Sequence, residues 1–296
     1  MLLSHKDLQT LADIAISAAC QAGDILIQYA QQEVIVQHKI GGENLASQVL
    51  TKVDILCQEV ILKILQSSCK DFDLALLSEE SEDDQSRLEK DYFWSIDPLD
   101  GTLPFIESTS GYAVSIALVS RSGSAVIGVI FDPIEKTLYH AIRGCGAFRN
   151  KQAWSIEVSS ITNHPLTIVS DRSFLKYPYY EAVISELKHF AHERGLDGLK
   201  TIQHGGAAMN ACWVLENSPA CYFKFPKTQN GGGSLWDYAA SSCIFNEIGA
   251  YVNDIHGQAL ELNRADTCFM NQQGVLFTTH KNIEKKIQEI YKKSLI

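Results

Sequence analysis

The sequence predicts an α/β protein of two lobes, an α+β lobe followed by an α/β lobe. A chain of 296 residues, 46% of them hydrophobic, is long enough to bury a large core. Two amphipathic helical patterns precede a series of short β-branched and aromatic segments, and strand and helix patterns alternate after about residue 150. We therefore expect an N-terminal lobe over residues 1–150 and a C-terminal lobe over residues 151–296.

The first lobe begins with two predicted helices. Apolar residues recur at helical spacing over residues 8–29, and Ser4 with Asp7 resembles a capping box at the start of this helix. A second helix is predicted from about Thr51, after a polar, glycine-containing connection, QHKIGGENLASQ, that we interpret as a mobile loop. The runs that then predict a sheet are LALL, YFWSI, YAVSIALV, AVIGVIF and KTLYHAI.

The second lobe alternates between strand and helix patterns, as is typical of α/β architecture. The predicted elements are strand TIVS, helix YYEAVISELKHFAHE, strand LKTIQ, helix AAMNACWVLEN, strand CYFKF, helix LWDYAASSCIFNEI, strand GVLFTT and helix KNIEKKIQEIYKK.

The charge balance limits the classes of function. The chain has 25 Lys and Arg against 35 Asp and Glu, a net charge of −10, which is the wrong sign for holding nucleic acid by its phosphates. We therefore expect no nucleic-acid polymer as a partner. If the substrate is a phosphate ester, a divalent cation held by acidic residues is the candidate for neutralising its charge.

Cysteine usage and the N-terminus predict a cytoplasmic protein. The 8 cysteines include no CxxC pair, so they signal neither a zinc site nor a disulfide framework, and we expect small core residues in a reducing cytosol. The N-terminus has no basic lead-in and aspartates interrupt its apolar runs, which argues against a signal peptide. No stretch reaches the roughly 18 apolar residues of a membrane span, so we expect no membrane partner.

Acidic residues stand at the ends of several predicted elements. Glu79 and Glu80 follow one predicted strand, Asp97 and Asp100 follow the next, and Asp237 stands at the start of a helix. Carboxylates at strand ends, beyond the hydrogen-bonded ladder, can point into a shared crevice. Hard oxygen ligands there suit Mg²⁺ or Mn²⁺, and a cation between them allows like charges to stand close together.

The turn between the two aspartates also suits an anion. Pro98 fixes φ in the turn, and the following Gly101–Thr102 leaves backbone N–H groups free to hold an anion.

Each signal has a simpler interpretation when taken alone. Asp97 before a proline is an ordinary start of a turn. Asp237 and Asp54 each follow a Ser or Thr by three residues, as in a helix cap. Glu79 begins a charge run, SEESEDDQSRLEK, of the kind that is typical of a solvated loop.

The types, order and spacing of these residues together match one known pattern. DPLDGT fits the motif DPxDGT, TKVD fits Thr-x-x-Asp, and GCGAF fits Gly-x-Gly-Ala-Phe, while SEES precedes and WDYAAS follows. Over nearly its whole length the chain resembles the superfamily of lithium-sensitive, Mg²⁺-dependent phosphatases that contains inositol monophosphatase and 3′(2′),5′-bisphosphate nucleotidase. The resemblance implies a layered α-β-α-β-α sandwich and hydrolysis of a small phosphate monoester by activated water.

Carried over by position, the resemblance implies two metal sites. Glu79, Asp97 and the carbonyl of Leu99 would bind one Mg²⁺. Asp97, Asp100 and Asp237 would bind a second. Two cations about 4 Å apart can activate water on one side and stabilise the leaving oxygen on the other.

The resemblance also implies the remaining roles. Asp54 with Thr102 would orient the attacking water, so these two residues and Glu79 are the predicted catalytic residues. The N–H groups of Gly101 and Thr102 would hold the phosphate. Glu80 would bind a third metal ion more weakly. Whether the protein forms a homodimer stays open.

Two other classes of function are considered. A haloacid-dehalogenase-type phosphatase also places Asp-x-Asp-Gly-Thr after a strand, but here two residues separate the aspartates, which would displace the acid from its nucleophile. A non-catalytic metal- or phosphate-binding protein on the same fold would be expected to have substituted ligands, and here all five side-chain ligands and the Asp54/Thr102 pair are present.

The identity of the substrate is inferred from residues in the second half of the chain. Lys224 stands where inositol monophosphatases carry a glutamate that contacts inositol hydroxyls, and an ammonium favours an anionic group instead. This favours a second phosphate on the substrate, as in 3′-phosphoadenosine 5′-phosphate, with inositol monophosphate as the alternative and a solvent-exposed Lys224 also open. Gly206 and Ala207, where the family usually has a Gly-Ser motif, are the other candidate substrate contacts.

Overall fold

The computed structural model describes residues 2–30, 36–38, 49–156 and 163–294. The connection interpreted as a mobile loop lies outside the described residues, apart from its first two. The α-helices of the described residues are α1 (His5–Tyr29), α2 (Lys52–Asp71), α3 (Thr102–Ile106), α4 (Tyr180–Glu193), α5 (Ala207–Glu216), α6 (Leu235–Ile248) and α7 (Lys281–Ser294). The strands are β1 (Val36–His38), β2 (Val49–Thr51), β3 (Ala75–Ser78), β4 (Tyr92–Asp100), β5 (Ala113–Ser120), β6 (Ala125–Asp132), β7 (Thr137–Ile142), β8 (Gly146–Arg149), β9 (Gln152–Trp154), β10 (Leu166–Val169), β11 (Leu199–Ile202), β12 (Ala220–Lys224), β13 (Tyr251–Asn253) and β14 (Val275–Thr278).

The larger sheet contains seven strands in the order β3-β4-β5-β6-β7-β8-β9. β3 and β4 are parallel and each later pair is antiparallel. β4 is buried along its whole length, as expected of a strand that is covered on both faces. The five strands predicted in the first lobe are confirmed. The hairpin of β8 and β9 was not predicted, because its two strands are short and follow a glycine-containing segment with little strand signal.

The smaller sheet contains five strands in the order β11-β10-β12-β14-β13. β10 pairs in parallel with both β11 and β12, whereas β14 is antiparallel to its two neighbours. The carboxyl ends of β10 and β12 therefore lie side by side. This edge of the sheet faces the candidate site described below.

Three layers of helices enclose the two sheets. α1 and α2 pack together on the outer face of the larger sheet. α5 and α6 lie between the sheets in one shared core, and α6 is apolar on most sides because both of its faces are covered. α4 and α7 cover the outer face of the smaller sheet. The α-β-α-β-α sandwich is confirmed, and the lobe boundary near residue 150 stays a prediction.

Helix α1 is long and apolar enough to cross a membrane when judged by length and composition alone. The expectation that no stretch is long and apolar enough for a membrane span is therefore wrong for this helix. Its capping box of Ser4 and Asp7 is present, and one side of the helix, which includes Leu11 and Leu26, is buried against α2 and the larger sheet. That packing makes α1 a core helix of the fold.

All eight cysteines lie within the described residues and are free thiols. Four are buried and three are partly buried, as expected for small core residues. Cys145 is exposed, so the prediction of a core position is wrong for this residue.

Candidate active site

Asp97 and Asp100 reach the same cleft because β4 contains one extra residue between them. Asp97 pairs with Ser115 of β5 and Asp100 pairs with Ala113, so three steps along β4 match two steps along β5. In a regular strand, side chains three residues apart point to opposite faces, and a bulge corrects this. Pro98 lies within the irregular stretch, where it has no N–H that the ladder would need.

The third acidic residue of the cluster comes from the second half of the chain. Asp237 lies in the first turn of α6 and forms a capping box with Ser234, so that its backbone N–H is accepted by the serine side chain and its carboxylate accepts the serine N–H. The carboxylates of Asp97, Asp100 and Asp237 lie within 4.8 Å of one another. Asp237 is therefore both a helix cap and a member of the acidic cluster.

Hydrogen bonds from backbone N–H groups fix the orientation of both β4 carboxylates. Asp97 Oδ1 accepts the N–H of Leu99 at 3.0 Å. Asp100 Oδ1 accepts the N–H of Ala207 at 2.9 Å, and its Oδ2 accepts the N–H of Ala208 at 2.7 Å. Asp100 thus satisfies free donors at the start of α5, where a negative charge is favoured.

Burial raises the pKa of all three carboxyl groups, and neighbouring negative charge adds to the rise at Asp97 and Asp100. The pKa of Asp97 is raised well above its usual value by burial and by the charges of Glu79, Asp100 and Asp237. Burial and the charge of Asp237 raise the pKa of Asp100 to about 8, against the hydrogen bonds from α5. Burial raises the pKa of Asp237, although Lys224 acts in the opposite direction.

Glu79 and Glu80 follow β3 but lie differently. Glu79 is exposed, lines the cleft, and is close enough to Asp97 to raise the pKa of that residue. Glu80 is partly buried, and its carbonyl accepts the side-chain N–H of Gln58 at 3.3 Å. Glu80 is not among the described residues that line the cleft.

Two of the predicted water- and phosphate-binding residues, Gly101 and Thr102, lie at the start of the short helix α3. Gly101 is the N-cap of α3 in the left-handed conformation, with φ of 90°. Thr102 is its first residue and its Oγ1 donates to the carbonyl of Leu99 at 3.5 Å. Asp54 is buried in the first turn of α2 and, unlike Gly101 and Thr102, is not among the described residues that line the cleft.

A cleft of about 370 Å³ opens over the acidic cluster. Residues from both sheets and from the glycine-rich approach to α6 line it; they are Glu79, Asp97, Leu99, Asp100, Gly101, Thr102, Leu103, Pro104, Asp171, Arg172, Ser173, His204, Gly205, Gly206, Ala207, Lys224, Gly231, Gly232, Gly233, Ser234, Trp236, Asp237 and Phe269. All three residues predicted as substrate contacts are among them. The amide hydrogen of Ala207 is already bound to Asp100, and that of Gly206 is donated to the carbonyl of Gly111 at 2.7 Å.

Lys224 lies in the cleft with its ammonium group already bound. Its Nζ is 2.7 Å from Asp171 Oδ2 and donates to the carbonyl of Gly232 at 2.7 Å. The same nitrogen lies 5.6 Å from the centre of the Tyr238 ring. The alternative of a solvent-exposed Lys224 is therefore wrong, and the predicted contact of Lys224 with a substrate anion stays a prediction.

The donor set fits a hard divalent cation. Its ligands are carboxylate oxygens from three positions, and a backbone carbonyl, that of Leu99, lies at the same cleft. Such oxygens are the ligands that divalent cations of this kind prefer. A cation there would also offset the repulsion between carboxylates that contributes to the raised pKa of Asp97 and Asp100.

The fold and this cleft define the class of protein: a layered α/β protein with an acidic cluster suited to a metal ion. The chain belongs to the inositol monophosphatase family, whose family model matches residues 7–295.

Relatives and solved structures agree with this assignment. The chain is 28% identical over 250 residues to Nus factor SuhB of Pasteurella multocida, covering 83% of this chain and 86% of that protein. It is 29% identical over 223 residues to 3′(2′),5′-bisphosphate nucleotidase CysQ of Salmonella typhimurium, covering 75% and 82%. The suhB structure from Bartonella henselae superposes with a TM-score of 0.72 at 24% identity, covering 95% and 98%, and inositol monophosphatase from Anabaena with 0.69 at 23%, covering 97% of each chain.

Several residues of the cleft were not predicted. Asp171 directly follows the predicted strand TIVS, so its position was a usable signal, like that of Asp97 after YFWSI, although in the structure β4 extends to Asp100 and includes Asp97. Arg172 also lines the cleft and forms an ion pair with Glu107, with one N–H···O distance of 2.7 Å. His204 begins the segment HGGAAMN, which was expected to face the site, whereas Phe269 also lines the cleft and carries no sequence pattern that marks it.

Proposed function

We propose that this protein is a divalent-cation-dependent phosphomonoesterase that hydrolyses a small phosphate ester by direct attack of water. The observation that supports it is the convergence of Asp97, Asp100 and Asp237, from distant parts of the chain, in a cleft that also contains Gly101 and Thr102. Mg²⁺ is the proposed ion, in two or three sites, and Mn²⁺ is a possible substitute. When bound, such ions neutralise phosphate charge and make water a better nucleophile.

The proposed ligands fall into two overlapping sets. Glu79, Asp97 and the Leu99 carbonyl form one, and Asp97, Asp100 and Asp237 form the other. Each Asp100 oxygen accepts one backbone N–H and keeps a further lone pair for a cation. The bonds to α5 therefore fix the direction in which those lone pairs point, which is what outer-shell contacts do in metal sites.

The proposed role of the other residues is to position water and phosphate. Asp54 with Thr102 would orient the attacking water, and Glu79 completes the proposed catalytic set. The N–H groups of Gly101 and Thr102, at the start of α3, would hold the phosphate oxygens. Glu80 would contact a third, weaker ion.

The preferred substrate is a 3′(2′),5′-bisphosphate nucleotide such as 3′-phosphoadenosine 5′-phosphate, which would yield AMP and phosphate. A relative with this named activity, and the position of Lys224 in the cleft, support this preference. Inositol monophosphate is the second candidate. The ion pair of Lys224 with Asp171 favours it, because a neutralised ammonium attracts a second phosphate less strongly.

A substrate panel tests the proposal. Protein freed of metal by a chelator is assayed for phosphate release from 3′-phosphoadenosine 5′-phosphate and from inositol 1-phosphate, with and without added Mg²⁺. We expect turnover only with the ion, and a higher kcat/KM for the bisphosphate. The reverse ranking would replace the first substrate by the second, whereas binding of both esters without turnover would support the remoter alternative of a non-catalytic metal- or phosphate-binding protein.

The proposed partner is a small phosphorylated molecule, in a cytoplasmic protein. No nucleic-acid polymer and no membrane are expected as partners, and a homodimer is a further expectation. Some relatives carry the name Nus factor, which describes those proteins. Gel filtration and a nucleic-acid binding assay test these expectations.

A further inference from the structure

Asp171 and Lys224 stand at matching positions on neighbouring strands. β10 and β12 are parallel, and Val169 pairs with Tyr222. Asp171 lies two residues after Val169, and Lys224 lies two residues after Tyr222. Side chains two residues apart along a strand point to the same face, so the side chains of Asp171 and Lys224 lie on the same face of the smaller sheet. Both line the cleft over the acidic cluster. This pairing occupies the edge where the alcohol part of a substrate would lie if its phosphate is held at the acidic cluster.

The ammonium of Lys224 is fixed rather than free. It contacts Asp171 Oδ2 and the Gly232 carbonyl, both at 2.7 Å, and packs over the ring of Tyr238. Only 21% of the Lys224 side chain is exposed. A second phosphate would therefore meet an ion pair, and it would have to compete with Asp171 for the ammonium.

The carboxylate of Asp171 is held but retains acceptor capacity. Its Oδ1 accepts the side-chain N–H of Asn210 and the hydroxyl of Tyr222, each at 3.1 Å, and its Oδ2 accepts Lys224. An ionised carboxylate offers about four acceptor positions. These three partners leave one, on a side chain that is 23% exposed in the cleft.

We propose that Asp171 is a specificity-determining residue that accepts a hydrogen bond from a hydroxyl group on the alcohol part of the substrate, with Lys224 as its fixed counter-ion. The inference rests on the proposed function and narrows its substrate class to phosphate esters of hydroxylated alcohols. The ribose of an adenosine bisphosphate and the ring of an inositol phosphate both provide such a hydroxyl. A partly buried acceptor that the bound substrate shields from water, and leaves without its donor, penalises substrates that lack the group.

Pairs of esters that differ in hydroxyl groups test the inference. One pair is adenosine 3′,5′-bisphosphate with its 2′-deoxy analogue, and the other is inositol 1-phosphate with cyclohexyl phosphate. For at least one pair we expect the wild-type protein with Mg²⁺ to favour the hydroxylated member by at least about tenfold in kcat/KM. Asp171→Ala should reduce this ratio to within about threefold of unity. The ratio is measured within one variant, so a general loss of activity does not affect it.

Further variants separate the roles of the two residues. Asp171→Ala combined with Lys224→Met should show the same collapsed ratio, which excludes the released ammonium as its cause. Asp91→Ala removes a carboxylate that pairs with Arg121 on the exposed surface, and this matched control should keep the wild-type ratio. Isothermal titration with AMP and 2′-deoxy-AMP, or with inositol and cyclohexanol, gives the same comparison as a ratio of Kd values without turnover.

The outcomes distinguish this inference from the proposal on which it rests. Turnover by the wild-type protein with an unchanged ratio in Asp171→Ala would overturn the role of Asp171 alone. Equal kcat/KM values of the wild-type protein for the two members of each pair would also overturn the role of Asp171 alone. A wild-type protein that hydrolyses none of the four esters would overturn the proposed function, and the inference with it.

Discussion

Asp100, at the end of β4, accepts the backbone N–H of Ala208 through Oδ2 at 2.7 Å. The bond joins the larger sheet to the first turn of α5. It holds the backbone at the end of β4 close to the backbone at the start of α5. Gly206, the N-cap of α5, lies against the same carboxylate oxygen, and its own N–H is donated to the Gly111 carbonyl. The orientation of a proposed metal ligand therefore depends on the absence of a side chain at residue 206.

Gly206→Ala should reduce activity strongly. The φ of Gly206 is −65°, which alanine adopts readily, but a Cβ there would overlap Asp100 Oδ2 and would lie 2.6 Å from the Gly101 nitrogen. Displacing Asp100 should lower kcat/KM and Mg²⁺ affinity by roughly 10- to 100-fold. Steady-state kinetics over a range of Mg²⁺ concentrations measures both.

Gly198→Ala is the control for that substitution. Gly198 has φ of 73° and nothing within 4 Å of its Cβ position, so alanine strains the backbone without touching the cleft. It should cost stability and leave Mg²⁺ affinity unchanged. Equal Mg²⁺ affinity in the two variants would show that the contact between residue 206 and Asp100 is unimportant.

Asp97→Asn should remove turnover while the protein stays folded. Asp97 belongs to both proposed ligand sets, and the amide keeps the size of the side chain and an oxygen for the N–H of Leu99. We expect kcat/KM to fall by at least about a hundredfold, since the loss of a ligand should exceed the effect of an outer-shell change. Circular dichroism and thermal unfolding check the fold, and retained activity would refute the proposed site.

The sequence carries enough information for the acidic cluster and most elements of the fold. Asp97 and Asp100 are recognisable from DPLDGT, and Asp237 from WDYAAS. A sequence motif can be recognised without knowing how the surrounding strands pair. The bulge that lets both β4 aspartates face one cleft is visible only in the pairing with β5. The charge run after Glu79 is typical of a solvated loop, yet Arg87 within it is 1% exposed.

The contacts of Lys224 could not be predicted for a related reason. Its partner Asp171 is distant in sequence and meets it through the register of two parallel strands. Composition and motifs place a lysine at the end of β12, but they do not say whether the ammonium is free. The difference changes the substrate argument, because a paired lysine does not act as an isolated positive charge.

The metal-free protein should lose stability as pH rises from about 7.5 to 8.5. Burial raises the pKa of Asp97 and Asp237 above the usual value and that of Asp100 to about 8, and repulsion from neighbouring carboxylates adds to the rise at Asp97 and Asp100. In the unfolded chain these groups lose their protons near pH 4. The folded state thus binds more protons between these values, so the contribution of these three groups to stability is greatest at low pH and is lost as pH rises through their folded pKa values.

Thermal unfolding in a chelator across this pH range measures the effect. The window avoids the histidines His140, His204 and His280, whose pKa values are lowered by burial, because above about pH 7.5 a histidine is mostly neutral in the unfolded chain as well. Saturating Mg²⁺ should flatten the dependence, because the carboxylates are then ionised in the folded state. A metal-free Tm that rises or stays constant would contradict the assigned charge crowding.

Arg87→Met should destabilise the protein. The buried guanidinium contacts Asp83 Oδ2 at 2.9 Å, Asn263 Oδ1 at 2.6 Å and the carbonyl of Arg264 at 2.8 Å. We expect the free energy of unfolding to fall by about 3 kcal/mol, since the substitution leaves partly buried acceptors without a donor. Urea unfolding measures the change. Arg121→Met, which removes an exposed ion pair with Asp91, should cost at most about 1 kcal/mol.

Removal and replacement of the metal ion should control activity directly. The ligand set consists of oxygens, so dialysis against a chelator should abolish phosphate release, Mg²⁺ should restore it, and Mn²⁺ should restore it in part. The resemblance to lithium-sensitive phosphatases predicts inhibition by Li⁺ at one of the Mg²⁺ positions. Phosphate release is therefore measured at fixed Mg²⁺ with LiCl or, as the matched salt control, NaCl. We expect LiCl to inhibit phosphate release and NaCl to have no effect. Equal effects of the two salts would show that this protein is not sensitive to lithium. Activity that survives the chelator would refute the dependence on a metal ion.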